Sequence, residues 1–290
     1  MNKIYLYLFS LLVFLIFPMK AQEVNDFFDP MDVFELEWAS DPQVSPDSKI
    51  IVYVRKSHDI MKDKVRSNIW QIKIDGEDHR PLYSELGNSY SPRWSPNQER
   101  LAFLSNNSGS TQIHMYWFKS GETRAITQLQ ESPSSLSWSP DGKWIAFTMN
   151  VKAESNAIVK SREKPEGATW AKEPITVTTT RYQYDGRGIV EPSYRHIFVV
   201  PAEGGSARQL TTGNFNHYGP LSWSADSESI FFSAHRSDDW ELSSDEADIF
   251  RVYVADKKLS QITNQSGEES SPIVSPNGKL IAFNLRERRP

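Results

Sequence analysis

Trp138-Ser139-Pro140-Asp141-Gly142-Lys143-Trp144-Ile145-Ala146-Phe147 reads as a tight turn followed at once by a short apolar strand, and the chain writes this unit five times, intact or degraded. The other copies run from Val44 to Tyr53, Trp94 to Phe103, Trp223 to Phe232 and Val274 to Phe283, with turn serines at positions 45, 95, 139, 224 and 275. Proline presets φ at the second position of such a turn, Asp or Asn is tolerated at the third, and glycine takes the left-handed conformation that closes a hairpin. Successive serines stand 50, 44, 85 and 51 residues apart. A period of about 40–50 residues marks a repeat architecture.

A second pattern follows each turn. Asn68 to Ile74 alternates apolar and polar residues, Asp75-Gly76 turns the chain, and Arg80-Pro81-Leu82-Tyr83 returns. The same layout recurs as Gln112 to Phe118 with Ala125-Ile126-Thr127, as His196 to Val200 with Arg208 to Thr211, and as Asp248 to Val254 with Ser260 to Thr263. A strand before the turn, one after it and two more joined by a Gly or Asp turn make four antiparallel strands per repeat, which is a β-propeller blade. The expected fold is all-β, with about four complete blades and part of a fifth. No Trp is followed by Asp, as WD40 blades require, and no Ser-x-Asp-x-Gly box of the sialidase kind occurs at these turns. Strand-period alternation and the density of turn residues exclude helical repeats.

The expected organisation is a signal peptide over 1–21, a short helical lead-in over 22–37, and a propeller over 38–290. Its blades fall near 38–89, 90–132, 133–216, 217–268 and, in part, 269–290, the third carrying an insertion over 150–195. Ile4 to Phe17 is apolar save Ser10, Lys3 precedes it, and Ala21 suits the position before a signal-peptidase cut. That predicts export to the periplasm or beyond, with a membrane as partner only if the signal stays uncleaved. In the lead-in, Asp29 is placed as N-cap and Pro30 at the first helical position. The chain has no cysteine, so it carries neither a disulfide framework nor a thiolate metal site. A hydrophobic share of 38% and a charged share of 24% suit a folded domain, and a net charge of −5 without a basic stripe argues against nucleic acid.

The Ser-Pro-Asp-Gly-Lys-apolar-Ala-Phe units resemble the propeller repeats of TolB-type proteins and of prolyl-oligopeptidase-type serine peptidases, family S9. Thr180-Arg181-Tyr182-Gln183-Tyr184-Asp185-Gly186-Arg187-Gly188, the run His196 to Gly205, and Ser233 to Glu241 resemble the acylaminoacyl-peptidase and dipeptidyl-peptidase branch of S9. In that family, the resemblance implies, a propeller is followed by an α/β-hydrolase domain with a Ser, Asp and His triad, and the propeller restricts access to it. The implied partners are peptide substrates and such a C-terminal domain. TolB-like proteins carry an α/β domain before their propeller, for which the start of this chain leaves no room; a free-standing, protein-binding propeller is the alternative.

No catalytic residue, metal ligand or cofactor site is assigned. Gly87-Asn88-Ser89-Tyr90-Ser91 lacks the second glycine of a nucleophile elbow, and the six histidines lack ligand spacing. His114 and His196 are expected as satisfied structural residues of strands. The 85-residue interval holds a long insertion, with a strand expected over Ile175 to Thr180 and a turn at Asp185-Gly186. Arg181, Tyr182, Tyr184 and Asp185 are the candidates for contact with substrate or a partner domain. The acidic stretch Asp238 to Asp248 lacks the Gly-punctuated spacing of a calcium loop and is expected as a solvated connection. The last copy stops after its second strand, from which the chain is expected to be part of a longer reading frame.

Overall fold

The structure is a computed structural model and describes residues 27–153, 162–171, 177, 179–180, 182–186, 188–190, 192–243 and 246–287. The signal peptide expected over 1–21 lies outside them. The chain divides into two units, Met1–Leu36 and Glu37–Pro290. In the first, Pro30–Glu35 forms a single 3-10 helix. Met31 N–H donates to Asp29 Oδ1 and Asp29 N–H donates to Asp32 Oδ2, both at 2.8 Å, so the two carboxylates cap the helix reciprocally.

The second unit is a set of antiparallel sheets. Blade one comprises β1 (Glu37–Val44), β2 (Ile50–Asp59), β3 (Lys64–Lys73) and β4 (Arg80–Tyr83) in that order; blade two comprises β5 (Ser89–Trp94), β6 (Arg100–Ser105), β7 (Gln112–Trp117) and β8 (Thr123–Ala125). Blade three is built from β9 (Pro133–Trp138), β10 (Trp144–Lys152), β13 (Ser193–Pro201) and β14 (Arg208–Gln209), and the small hairpin β11 (Gln183–Tyr184) with β12 (Gly188–Ile189) lies between its second and third strands. Blade four comprises β15 (His217–Trp223), β16 (Ser229–Ala234), β17 (Asp248–Tyr253) and β18 (Leu259–Gln261). A two-stranded sheet of β19 (Glu268–Val274) and β20 (Ile281–Arg286) follows. The propeller is therefore incomplete: four full blades and part of a fifth, with no closed ring among the described residues.

Each repeated turn is closed by its serine. Ser139 Oγ donates to Asp141 Oδ1 at 2.6 Å and accepts the Trp144 N–H at 2.9 Å, and Ser45, Ser95, Ser224 and Ser275 make the same pair of bonds. The fourth turn residue has φ of 69° at Gly142 and Gly278, as expected of glycine, but also 60° at Ser48, 61° at Gln98 and 64° at Ser227. Those three side chains accept a strained backbone because the serine and carboxylate or amide bonds hold the turn around them.

The inner strand of each blade, β1, β5, β9, β15 and β19, carries a register shift against its neighbour. In four of them a residue near the shift has positive φ: Asp41, Ser91, Ser135 and Ser271. These are β-bulges, which bend the strand and re-aim the residues on either side.

The core lies between blades rather than within any one sheet. Val52 and Ile69 meet Leu101 and Phe103 between blades one and two; Leu104, Met115 and Ile126 meet Trp138, Phe147 and Phe198 between two and three; Ile197, Val199 and Leu210 meet Trp223, Phe232 and Phe250 between three and four. Middle strands are covered on both faces, so β16 is buried at every residue, its serines Ser229 and Ser233 included. Indole N–H groups fasten adjacent blades: Trp94 Nε1 donates to the Gln43 carbonyl (3.1 Å), Trp138 to Arg93 (3.0 Å) and Trp223 to Ser137 (3.2 Å). At the next seam Val274 stands in the place of the tryptophan, and its backbone N–H donates to Ser222 Oγ at 3.0 Å.

Candidate functional site

The paired register extends β10 to Lys152 opposite Ser193, so blade three's insertion leaves the sheet three residues later than expected and returns three residues earlier. The β10–β13 pairing carries Asn150, Tyr194 and Arg195 out beyond the blade, where they face the connections of blade four. Much of the strand expected over Ile175 to Thr180 lies outside the described residues, and its described members, Val177, Thr179 and Thr180, are in no strand. The turn at Asp185-Gly186 is present and joins β11 to β12 through the pairs Gln183 with Ile189 and Tyr184 with Gly188.

A cavity of about 550 Å³ opens where this insertion meets blades three to five. Its walls include Tyr184 from the insertion, Tyr194 and Arg195 from β13, and Tyr218 from β15. Trp240, Glu241 and Glu246 enter it from the connection between β16 and β17, and Glu268 and Ser270 from β19. The acidic connection is thus more than a solvated link. Thr180 donates to Glu241 Oε2 from its N–H at 3.0 Å and from its hydroxyl at 2.8 Å, tying the insertion to that connection. The Trp240 ring meets Tyr194 edge-on at 6.0 Å. Burial, then the Glu241 carboxylate, push the Tyr194 phenol up. Burial pushes His235 down, so its imidazole is held neutral beside the cavity, where it shares a 2.6 Å hydrogen bond with Ser237 Oγ.

Of the four sequence candidates, Tyr184 lines the cavity; Tyr182 is exposed on the same segment, its carbonyl accepting the Val190 N–H at 2.9 Å; Asp185 is exposed at the hairpin tip. Arg181 lies outside the described residues. Glu241 and Glu246 were set aside with the acidic run as a solvated connection, and Glu268 was missed. The acidic run gives no hint of a fold that brings residues 180 and 241 together, and nothing in the sequence points to Glu268.

Beneath the cavity, blades meet at a repeated position. Ala39, Ser89, Pro133, His217 and Glu269 each pair with the residue ten places beyond their turn serine, so they occupy one place in five inner strands. On the preceding blade, a threonine hydroxyl accepts the N–H of Ile113, Ile197 and Ile249, which sets Gln112, His196 and Asp248 in a matching place. Between blades three and four, His217 faces His196 with ring centroids 5.2 Å apart. His217 Nδ1 donates to the Arg195 carbonyl at 2.8 Å, and Nε2 accepts from Arg236 at 2.7 Å, which fixes a neutral Nδ1–H tautomer. Burial, then Arg236, push His196 down to about 4; burial also pushes His217 down to about 3, against the Arg195 carbonyl, with His196 and Arg236 adding to it.

Between blades four and five the same places hold Asp248 and Glu269. Glu269 is fully buried, and neither carboxylate oxygen has a hydrogen-bond partner among the described residues. Burial first, then the Glu269 and Glu246 carboxylates, push Asp248 up to about 6. Gln261 Nε2 donates to Asp248 Oδ2 at 2.8 Å. His114 departs from expectation too: it sits in β7, buried against Tyr83 and Phe103, with no hydrogen-bond partner at either ring nitrogen among the described residues. His196 has one, the Thr211 hydroxyl at 3.3 Å.

Two family models divide this architecture. The one described as the TolB beta propeller domain matches residues 37–173, and the one described as the dipeptidyl peptidase IV N-terminal region matches residues 153–288. The chain is a β-propeller of the kind that S9 peptidases carry. It is 31% identical over 205 residues to the uncharacterized peptidase YuxL of Bacillus subtilis, covering 70% of this chain and 30% of that protein. It is 23% identical over 289 residues to dipeptidyl-peptidase 5 of Porphyromonas gingivalis, covering 93% of this chain and 40% of the relative. The chain therefore spans less than half the length of these curated relatives. Acylaminoacyl peptidase of Pyrococcus horikoshii shares the fold at a TM-score of 0.64 and 15% identity, over 91% of this chain and 38% of that one. Among the described residues, no helix is long and apolar enough to cross a membrane.

Proposed function

We propose that this chain is the non-catalytic propeller of an exported S9-type serine peptidase, positioning and gating peptide substrates for an α/β-hydrolase domain. The observation that carries the reading is the cavity built where the blade-three insertion meets the blade-four connection, with Tyr184 and Glu241 on its wall. Inserted loops on a rigid sheet scaffold are where binding residues concentrate, and a concave site with aromatic walls and a few convergent polar groups suits a peptide. Peptide hydrolysis in the hydrolase domain would be acyl transfer through a serine ester, with a histidine base and an oxyanion hole. The propeller's contribution is to orient the peptide and to exclude chains too wide to enter. Arg181, Tyr182, Tyr184 and Asp185 are the residues assigned to contact with substrate or with the hydrolase domain.

The test is steady-state kinetics of the full-length protein on peptides of increasing length. Alanine at Tyr184 or Asp185 is expected to raise KM or shift the length preference with kcat little changed. Unchanged kinetics and unchanged association of the two domains across alanine variants of all four residues overturn the assignment. The match of residues 37–173 to the TolB propeller favours a second reading, a protein-binding module. It is the one left standing if the full-length protein hydrolyses no peptide.

A further inference from the structure

The charge and shape of the cavity go beyond a generic peptide site. Among the described residues its lining sets three carboxylates, Glu241, Glu246 and Glu268, against one guanidinium, that of Arg195, which lies over the Tyr218 ring at 5.8 Å. Underneath, Glu269 is wholly buried with both oxygens unpartnered among the described residues, and Asp248 stands beside it. Arg286 pairs with Glu268 at 3.0 Å and offsets its charge, and Thr180 donates to Glu241 without offsetting it, so both carboxylates are held in place. Partly desolvated carboxylates in a walled cavity focus a negative field, and that field acts more strongly on a cation there than in open water.

The walls supply what a compact ammonium does not need. Tyr184, Tyr194 and Trp240 line the cavity, the last two packed edge-on against each other. Such walls accommodate the methylene stem of a long side chain, or stack on a planar guanidinium, while its charged end reaches the carboxylates. A peptide's terminal ammonium carries the charge without the stem and leaves the rings uncovered. We infer that this cavity selects peptides bearing a lysine or arginine side chain, which rests on the peptidase reading above and names the substrate class for its site.

The experiment uses the full-length protein and matched peptides that carry Lys, Arg, norleucine or Glu at one position in turn, each with a free and an acetylated N terminus. Lys and Arg peptides are expected to show a KM lower than norleucine by about tenfold, in the acetylated and the free series alike. Glu241→Gln and Glu246→Gln should each erase most of that difference, leaving the norleucine peptide within about twofold, and molar salt should weaken it. Equal KM for Lys and norleucine overturns the inference while leaving the peptidase reading intact. So does a preference that vanishes on acetylation whatever the side chain, since the cavity then takes the terminal ammonium. If no peptide is hydrolysed, the peptidase reading fails. Nα-acetyl-lysine methylamide against its norleucine counterpart, titrated by tryptophan fluorescence with Trp240→Phe as control, then decides the cavity's selectivity: equal binding overturns it, and tighter binding of the lysine probe upholds it.

Discussion

Between blades three and four, His217 faces His196, gives its Nδ1 proton to a backbone carbonyl and accepts from Arg236; between blades four and five, the same two places hold Glu269 and Asp248, and Glu269 has no partner for either oxygen among the described residues. At both seams the inner strand carries a register shift and a threonine caps the preceding blade, although the shift in β15 contains a cis Gly219–Pro220 bond and that in β19 a positive φ at Ser271. The first seam is a polar network in which His217 Nδ1 donates across to the Arg195 carbonyl of blade three, while Arg236 donates to His217 within blade four. The second leaves a buried carboxyl without a hydrogen-bond partner among the described residues, which natural cores avoid unless the group serves something else. Its strand neighbours Glu268 and Ser270 line the cavity where two long connections converge. One seam is hydrogen-bonded across its blades, and the other buries a carboxyl that is not.

The sharpest way to break this contrast is to empty each seam. His217→Ala removes a fully buried ring, the acceptor of Arg236 and the donor to Arg195, and should destabilise the protein by about 2–4 kcal/mol. Glu269→Met fills the same volume without a charge and should leave stability unchanged or raise it by about 1–3 kcal/mol, while weakening cationic peptides in the cavity. Urea unfolding of the full-length variants, followed by tryptophan fluorescence, reads both; a loss of stability in Glu269→Met would erase the distinction.

A pH series sharpens the contrast with a smaller effect. Both imidazoles are held well below their usual value of 6.5, at about 4 and about 3, so their stabilising contribution is complete above pH 6.5 and is lost as pH falls towards those values. Asp248 is raised from 3.8 to about 6, so its protonated form favours the fold most below pH 3.8, and that contribution is lost as pH rises through about 6. Between these limits the seams act in opposite directions. With two lowered imidazoles against one raised carboxyl, Tm should fall on acidification from pH 6.5. Asp248→Asn should steepen that fall, and His217→Gln should flatten it; parallel curves for all three proteins would show that the seams do not titrate as described.

The smallest effect tests the fastenings. Trp223→Phe deletes the indole bond to Ser137 and should cost about 1 kcal/mol, whereas Ser222→Ala, which removes the acceptor for the Val274 N–H, should cost about half as much. Equal losses in urea midpoints would mean that the two seams are fastened equally well.

The propeller was legible because its evidence is local. Ser139, Pro140, Asp141 and Gly142 state a turn within four residues, and the apolar run after them states a strand buried on both faces. The bulges at Asp41, Ser91, Ser135 and Ser271 were not legible, since they exist only in the pairing of two strands. The seam residues are harder still, because His196 and His217, or Asp248 and Glu269, belong to different blades and acquire a shared role only through register. The cavity lay furthest from reach: Tyr184 was singled out, but Glu241 joins it through a hydrogen bond that spans 61 residues of sequence.

The turn serine has one more consequence. In all five copies its hydroxyl bridges the third turn residue and the strand that follows, whether the fourth residue is Gly142, Gly278, Ser48, Gln98 or Ser227. A duplicated blade could therefore lose its glycine by mutation and still close its hairpin, but not its serine. Drift among the copies is channelled into the position that the backbone tolerates, so the ancestry of the repeat is written most durably in an oxygen atom.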